Sequence, residues 1–287
     1  MLWDLYARER KRRVAAAPFT PHPELWPDVG LHAAWLGHST VLIKIEGTTI
    51  LTDPVFSMRA GLNLGPLTIG VKRLIEPALR LPGTERNAIP RPDLILLSHA
   101  HMDHFDLPSL RRLESHQTGV LTASKTADLL RVTRYGQVDE LAWGETARIG
   151  EIKVRAFEVN HWGARMQSDT FRGFNGYLIE SPRYRVIFGG DTALTGTFRQ
   201  LRSSRPIDLA IMPIGAYNPW IRAHCTPEQA LQMANDAGAE TILPVHHQTF
   251  ELSREPRFEP IERLTAALAD APERLALAEI GQEIHRV

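Results

Sequence analysis

The sequence predicts an α/β protein in which two β-sheets pack together and helices lie outside them. Several apolar runs have the length of strands and no polar face, which is typical of strands covered on both sides. Helical segments stand between some of these runs without strict strand–helix alternation, which favours two packed sheets. No linker or low-complexity segment divides the 287 residues. We therefore expect one domain over residues 1–287, with residues 1–30 as an N-terminal extension.

The first strong strand signal is the segment AWLGHSTVLIKIEGTTILTDP, residues 34–54. Two β-branched runs flank Glu46-Gly47, so this segment is predicted to form a hairpin of buried strands. Residues 57–90 are rich in Gly and Pro, and they are predicted to form a long loop with one short helix at residues 72–80.

The remainder of the first half is predicted to contain one strand and two helices. The apolar run at residues 93–98 has the length of a buried strand. Asp106 can cap a helix over residues 107–115, and residues 122–134 have a second helical pattern.

The second half repeats this order of signals. Its predicted strands are residues 152–159, 174–180, 185–191, 208–212 and 241–247. A helix is expected to begin at Thr226, because Pro227 follows at the first helical position and Gln229 completes a capping box. A last helix is expected to begin near Pro260. TTILTDP resembles RVIFGGD, and RPDLILLSH resembles RPIDLAIMP, which indicates two similar β-rich halves or a coincidence between buried strands.

Charge and cysteine content exclude several classes of protein. Lys+Arg and Asp+Glu both number 33, so the net charge gives no reason to expect a nucleic-acid partner. The lone Cys225 excludes an internal disulfide and a cysteine-based zinc site, and it fits a reducing compartment.

The N-terminal segment MLWDLYARERKRRVAAAPF lacks the pattern of a signal peptide, because its charges are not followed by an apolar run of about 7–15 residues. No stretch approaches the roughly 18 apolar residues of a membrane span. We expect a cytoplasmic protein with at most a peripheral membrane contact. That contact, or a solvated helix face, would use the basic cluster of Arg8, Arg10, Lys11, Arg12 and Arg13.

The most informative string is His99-x-His101-x-Asp103-His104. His99 and His101 point to the same side of an extended chain, because side chains alternate with period two. If the chain turns after His101, Asp103 and His104 can face the same space. Four good metal ligands would then converge at the end of a buried strand.

Three further candidate ligands lie at the ends of predicted strands downstream. His161 follows the run that ends at Asn160, and Asp191 follows two glycines that would allow close backbone approach. His246 and His247 end the last strand, and alternation alone does not choose between them.

Seven ligands exceed the needs of one metal ion. A structural zinc site takes four ligands, whereas this set offers five His and two Asp. Two divalent ions about 3.5–4 Å apart, sharing a carboxylate and a water, fit such a set. Nitrogen and oxygen ligands without thiolate favour Zn, with Fe, Mn, Ni or Co as alternatives. Because a bound ion lowers the pKa of water towards about 7, the sequence predicts a metal-dependent hydrolase.

This ligand string, with distant His161, Asp191 and His246, resembles the metallo-β-lactamase superfamily. The ordered segments WLGHST, LTDP, LSHAHMDH, FGGDT, IMPIGAYNP and VHHQTF are also similar to the N-acyl-phosphatidylethanolamine phospholipase D branch and its bacterial relatives. The similarity extends from about Trp35 to Phe250. The ligand string is specific only to the superfamily, whereas IGAYNP and the terminal His-x-x-Thr-Phe point to this branch.

The resemblance implies an αββα four-layer sandwich with the metals between the two sheets at one edge. By resemblance, one ion would be held by His99, His101 and His161. The other would be held by Asp103, His104 and His246, and Asp191 would bridge the two ions. The family pattern selects His246 over His247, because the ligand is the His followed by x-x-Thr-Phe.

Three more residues receive roles from the resemblance. Asp53 would orient a ligand imidazole, or would only end its strand beside Pro54. His38 and His224 would face the substrate, or would have structural roles. We expect Asp103 and His224 to be catalytic. Asp103 would orient the nucleophile or protonate the leaving group.

The implied activity is that of a phosphodiesterase in which a hydroxide shared by the two metals attacks a small-molecule or lipid phosphodiester. Residues 56–82 are apolar and Gly-rich, and they form either a wall for acyl chains or a plain loop. The alternative function is a lactonase for phosphorylated sugar lactones, similar to the ascorbate-phosphate lactonases, and Arg59, Lys72 and Arg73 leave it open. A metal-binding scaffold without turnover is disfavoured by the full ligand set. Oligomeric state does not follow from the sequence.

Overall fold

The first of two large sheets has seven strands in the order β15-β1-β2-β3-β6-β7-β8. The computed structural model describes residues 12–64, 67–83, 87–131 and 134–287, with Leu64 and Leu67 described by their backbone only. The strands of this sheet are β1 (Leu31–Gly37), β2 (Thr40–Ile45), β3 (Thr48–Thr52), β6 (Leu94–Leu97), β7 (Gly119–Ala123), β8 (Gln137–Leu141) and β15 (Glu283–Arg286). The C-terminal strand therefore pairs antiparallel with β1.

The second sheet has six strands in the order β14-β13-β12-β11-β10-β9. Its strands are β9 (Thr146–Ile149), β10 (Ile152–Phe157), β11 (Gly176–Glu180), β12 (Arg185–Phe188), β13 (Ile207–Pro213) and β14 (Ala239–Val245). A separate hairpin consists of β4 (Arg59–Leu64) and β5 (Leu67–Lys72). In the chain, this hairpin lies between β3 and β6 of the first sheet.

In the described ranges, three α-helices accompany the sheets, namely α1 (Leu107–Leu113), α2 (Pro227–Ala237) and α3 (Glu259–Ala267). The predicted capping box at Thr226 is confirmed: its hydroxyl accepts from the Gln229 N–H, and the Gln229 side chain accepts from the Thr226 N–H. The helix ends at Gly238, whose φ of 78° places it in the left-handed region that glycine tolerates. Short 3₁₀ helices occupy Pro23–Leu25, Ala127–Leu130, Gly196–Leu201 and Pro272–Arg274.

The main core lies between the two sheets, and a second core lies between the second sheet and α2 and α3. Strand β12 illustrates the division, because Val186 and Phe188 belong to the main core while Ile187 belongs to the other. Full burial of such a side chain stabilises the fold by about 1.5–3 kcal/mol. An apolar run without a polar face is therefore what this layered packing requires, as the sequence indicated.

The two sheets share a strand order that matches the internal echo in the sequence. In the first sheet an antiparallel β1-β2-β3 meander continues into parallel pairing of β3 with β6. In the second sheet the antiparallel β10-β11-β12 meander continues into parallel pairing of β12 with β13. The echoing segments thus occupy equivalent places, which favours the interpretation as two similar halves. The fold is that of the expected αββα sandwich.

The prediction of a loop with a helix for residues 57–90 is wrong, because β4 and β5 form a hairpin there and residues 72–80 contain no helix. The glycines mislead because two of them serve the hairpin rather than a loop. Gly61 and Gly70 face each other in register, and a Cβ on either would overlap the opposite backbone. Glycine here permits close strand approach.

The helix predicted at residues 122–134 is also wrong. Residues up to Ala123 belong to β7, and the described residues that follow, up to 131, contain only a single 3₁₀ turn at Ala127–Leu130. Residues 132–133 of this prediction lie outside the described residues. The turn ends at Arg131, whose φ of 54° is incompatible with a continuing helix. Asp106 occupies the N-cap position of α1 as predicted, but its carboxylate accepts from Ser109 Oγ and the Ser57 N–H instead of capping the helix.

Part of the N-terminal basic cluster, Arg8, Arg10 and Lys11, lies outside the described residues. Within the described part of the chain, no helix is both long enough and apolar enough to cross a bilayer.

Candidate metal centre

The predicted ligands converge at one edge of the sandwich, where strands of both sheets end. The chain leaves β6 at Leu97 and turns after His101, whose carbonyl accepts from the His104 and Phe105 N–H groups. This is the turn that the sequence required. Gly190, before Asp191, has a φ of 56°, and a Cβ there would lie 2.8 Å from Ser98 Cβ. A side chain at position 190 would therefore push the two ligand loops apart.

Three histidines form the first donor group. His101 Nδ1 lies 2.7 Å from His99 Nε2 and 3.2 Å from His161 Nε2. One ligand atom from each of the three lies within 4.8 Å of the others. This spacing suits a single ion between three imidazoles.

The second donor group consists of Asp103, His104 and His246, joined by His38. Asp103 Oδ2 lies 3.6 Å from His104 Nε2 and 3.5 Å from His246 Nε2. His38 Nε2 approaches the same oxygen at 3.1 Å. His38 therefore contacts a predicted ligand directly. Because it is only 1% exposed, its burial favours a structural role over contact with the substrate.

Asp191 lies between the two groups. Its Oδ2 is 3.1 Å from both His104 Nε2 and His246 Nε2, and 3.8 Å from His161 Nε2. His224 Nδ1 is also 3.8 Å from this oxygen, and the His224 ring meets the His161 ring edge-on at 5.1 Å. A single carboxylate thus contacts residues of both donor groups.

Hydrogen bonds outside the donor groups fix the orientation of three imidazoles. Asp53 accepts from His104 Nδ1 at 2.6 Å and from Ser98 Oγ at 2.5 Å. Since Ser98 Oγ donates to Asp53, it accepts from His99 Nδ1 at 2.9 Å. His161 Nδ1 donates to the Ala223 carbonyl at 2.9 Å. Each Nδ1 is thereby protonated, and each Nε2 faces the other predicted ligands.

Burial and neighbouring charges set the protonation of the site. Burial lowers the pKa of His99 well below 6.5 and that of His161 to about 3, so these rings are neutral. Burial opposes ionisation of Asp103 and Asp191, but the adjacent His104 holds the pKa of both carboxyls well below 3.8. Burial likewise opposes charge on His104 and His246. Asp191 and Asp103 nevertheless hold the pKa of His104 well above 6.5 and raise that of His246 to about 9.

The donor chemistry fits divalent metal ions. His104 Nε2, His246 Nε2 and Asp191 Oδ1 are buried and make no hydrogen bond within the described ranges. A buried polar atom without a partner costs roughly 1–3 kcal/mol. Asp103 and Asp191 are buried, ionised carboxylates that require positive charge beside them, and they raise the pKa of His104 and His246 for this reason. Cations bound to these nitrogen and oxygen atoms would satisfy both requirements.

Comparison with known proteins decides the family. The family model of the beta-lactamase superfamily domain matches residues 48–247, which include all seven predicted ligands. The chain belongs to the metallo-β-lactamase superfamily. It is a metal-dependent hydrolase of that superfamily.

Two relatives and one solved structure are similar to this chain over most of its length. An uncharacterized protein of Mycobacterium tuberculosis is 33% identical over 99% of this chain and 77% of its own length. The N-acyl-phosphatidylethanolamine-hydrolyzing phospholipase D 1 of Caenorhabditis elegans is 31% identical over 86% of this chain and 72% of its own. The structure of a metallo hydrolase from the archaeon Ignicoccus hospitalis superposes with a TM-score of 0.65 at 20% identity, covering 90% of this chain and 99% of its own. This last likeness supports the fold.

The structure places the two adjacent histidines in different surroundings. His246 faces the donor groups, whereas the His247 ring stacks on Trp35 with centroids 4.6 Å apart. Asp53, for which two roles were open, orients His104 and Ser98 in this member of the superfamily.

Sequence reasoning missed three residues that hold the site together. Ser98 relays Asp53 to His99, and Thr249 Oγ1 accepts from the His38 N–H at 2.7 Å. Arg165 donates to the carbonyls of Ala100 and Phe105 at 3.0 and 2.9 Å, and thereby clamps the loop that carries four predicted ligands. Ser98 and Thr249 adjoin the motifs, which was a usable signal. Arg165 has no such signal.

Exposed apolar side chains stand next to predicted site residues in the chain, and one of them contacts the site directly. Trp162 packs on His161 and His101 with ring centroids 4.8 and 4.9 Å apart, yet it is 46% exposed. Leu194 follows Asp191, and Trp220 and Ile221 precede His224, all of them exposed.

Proposed function

We propose that the chain is a binuclear phosphodiesterase that hydrolyses lipid phosphodiesters. The position of Asp191 Oδ2 between the two donor groups carries the binuclear part of this proposal. The relative named as a phospholipase D, at 31% identity, supports the phosphodiester part. The exposed Trp162, which contacts the rings of His161 and His101, supports a lipid substrate.

The two ions would have separate ligand sets. We assign His99, His101 and His161 to one ion, Asp103, His104 and His246 to the other, and Asp191 to both. When bound, two divalent ions, which we expect to be Zn, would supply a water of lowered pKa and neutralise the charge of a phosphate. The surrounding residues hold this ligand set in place, since Asp53, Ser98 and the Ala223 carbonyl fix the imidazole orientations.

Two residues are assigned catalytic roles beyond metal binding. The pKa of Asp103 lies well below its usual range, so the carboxylate accepts rather than donates a proton. This favours orientation of the attacking water over protonation of the leaving group. His224 is neutral, because burial lowers its pKa to about 4, and it is 8% exposed beside Asp191. We assign to it a hydrogen bond to the substrate phosphate.

The lactonase alternative receives less support. A phosphosugar site would need free cations near the metals, and Arg59, Lys72 and Arg73 were the candidates. All three donate to backbone carbonyls, namely those of Gly70, Arg12 and Val55. None of these three hydrogen bonds joins an arginine or lysine to a residue of either donor group.

The test is a parallel assay of metal-loaded protein on a phosphodiester lipid, a small chromogenic phosphodiester and a lactone panel. We expect diester turnover that falls at least 100-fold in H99A and D191A. H116A, which removes an exposed histidine elsewhere, should retain wild-type activity. Turnover of lactones alone would replace the proposal by the lactonase alternative.

A further inference from the structure

A cavity of about 330 Å³ lies beside the candidate metal centre and shares His246 with it. Its wall is built by Leu74, Gly215, Ala216, residues 246–248, residues 250–257 and Pro260. Of the seven predicted metal ligands, His246 alone contributes to this wall. The cavity is therefore a chamber adjacent to the centre, and its volume is that of a small-molecule site.

Buried polar groups in the wall lack partners. Gln248 is 7% exposed, and its side-chain amide makes no hydrogen bond to any residue of the described chain. Both ring nitrogens of His247 are also without a hydrogen-bond partner there. Gln248 has a φ of 58°, a conformation that costs a non-glycine residue free energy and that recurs at binding sites. A polar ligand in the cavity would give the Gln248 amide a partner.

Two of the residues that line the cavity are arginines. Arg254 and Arg257 form no ion pair with the described residues, although Arg257 lies over the Phe258 ring at 4.9 Å. The two carboxylates of the wall are already occupied. Glu251 pairs with Arg12 at 3.0 Å, and Glu255 accepts from the Ala216 and Asn218 N–H groups and from Ser253 Oγ.

A neighbouring cation reinforces this charge. Burial and, second, the positive charge of Arg12 lower the pKa of Arg257, although Glu251 pairs with Arg12. An anion between them would relieve this repulsion.

We propose that this cavity binds a phosphate monoester, with Arg254 and Arg257 on the phosphate and the Gln248 amide on a neutral hydroxyl or carbonyl of the ligand. Guanidinium groups favour phosphate because they donate in bidentate geometry. The monoester can be a free metabolite or the headgroup of a lipid. The proposal does not depend on the function of the metal centre, because no residue that carries it is a predicted metal ligand.

Calorimetric titration of metal-loaded protein with sn-glycerol 3-phosphate tests the site. The metal centre can also bind phosphate, so D191A serves to separate the two sites. We expect one binding event to persist in D191A and to weaken at least tenfold when R254Q and R257Q are combined. Q248L should weaken it as well. The control combines R111Q and R148Q, which remove two exposed arginines elsewhere.

Two outcomes would overturn the proposal: complete loss of binding in D191A, or equal affinity in the cavity variant and the control variant. Co-sedimentation with vesicles of phosphatidylcholine, with and without phosphatidate, distinguishes the source of the ligand. Binding of glycerol phosphate supports a soluble ligand, whereas binding of phosphatidate vesicles alone supports a lipid headgroup. Failure of diester turnover would leave these binding results unchanged, so the two proposals fail separately.

Discussion

At the scale of single residues, the orientation of the proposed ligands depends on groups outside the donor set. Asp53 is fully buried and accepts three hydrogen bonds, two from Ser98 and one from His104. Because a carboxylate only accepts, it forces the protons onto His104 Nδ1 and Ser98 Oγ. The other ring nitrogen of His104, Nε2, then faces Asp191.

D53N should therefore weaken metal binding. The amide would present a donor to Ser98 or to His104, and one of these hydrogen bonds would be lost. We expect metal affinity to fall about 10–100-fold, the usual effect of removing such a supporting group. Chelator competition measures it, and D270N, an exposed substitution, is the control. Unchanged affinity in D53N would contradict the orienting role.

His247 should contribute to the loss of stability in acid. Burial lowers its pKa from 6.5 to about 3, so the unfolded chain binds more protons between these values. Stability from this residue is then complete above pH 6.5 and is lost as the pH falls towards 3. H247F keeps a ring against Trp35 and cannot titrate.

We expect H247F to reduce the slope of unfolding free energy against pH by up to one proton, about 1.4 kcal/mol per pH unit. Urea unfolding at pH 7, 6 and 5 in the presence of chelator measures the slope. H116F, at an exposed position, should leave it unchanged. Parallel profiles for H247F and the wild type would show that His247 does not control this slope.

Sequence alone could carry the site only part of the way at this scale. The spacing of His99, His101, Asp103 and His104 was sufficient to predict that these four side chains lie close together, because the pattern is local. The choice of His246 over His247 needed the family pattern, because neighbouring strand residues face opposite ways. The contact of His38 with Asp103 joins residues 65 positions apart, and no local pattern encodes it.

At the scale of elements, we expect the β4–β5 hairpin to contact the substrate. Leu62 and Ile69 are opposite each other in register, and they are 41% and 49% exposed. Ala60 at its base packs with Val55 and Phe250, and Phe250 meets the His38 ring at 5.1 Å. The hairpin thus carries an exposed apolar pair, and its Ala60 packs with Phe250, which contacts His38.

L62D combined with I69D should reduce turnover of a phosphodiester lipid in vesicles several-fold and spare a small chromogenic diester. The reason is that the charged pair would disfavour contact with acyl chains or a bilayer surface. L25D, at an exposed apolar residue in the N-terminal 3₁₀ turn, serves as the control. Equal losses on both substrates would remove the lipid role of the hairpin.

Elements with local signals were predicted from sequence, and elements with distant partners were not. The capping box of α2 and the Glu46-Gly47 turn depend on residues within a few positions of one another. The β4–β5 hairpin was missed because paired glycines resemble loop glycines. Strand β15 was missed because it exists only through pairing with β1, about 250 residues away.

At the scale of the whole molecule, the proposed ligands join the two halves. His99, His101, Asp103 and His104 follow β6 of the first sheet, whereas His161, Asp191 and His246 follow strands of the second. Each proposed ion takes ligands from both sheets. Metal binding should therefore stabilise the packing of one sheet on the other, and not only the loops.

Chelation should accordingly lower the unfolding temperature, and returning the metal should restore it. A ligand present at 100 times its dissociation constant stabilises a protein by about 2.7 kcal/mol. Scanning fluorimetry with chelator and with metal added back measures the shift. D191A should show a smaller shift than the wild type, while H116A should behave like the wild type. A shift of equal size in D191A would contradict the bridging position.

The most direct test of the binuclear centre is the number of metal ions bound to purified, folded protein, counted by elemental analysis. The account predicts about two ions per chain in the wild type, about one in H99A and about one in H246A. Circular dichroism should confirm that each variant is folded. One ion per chain in the wild type with full diesterase activity, or no bound metal at all, would contradict the binuclear assignment.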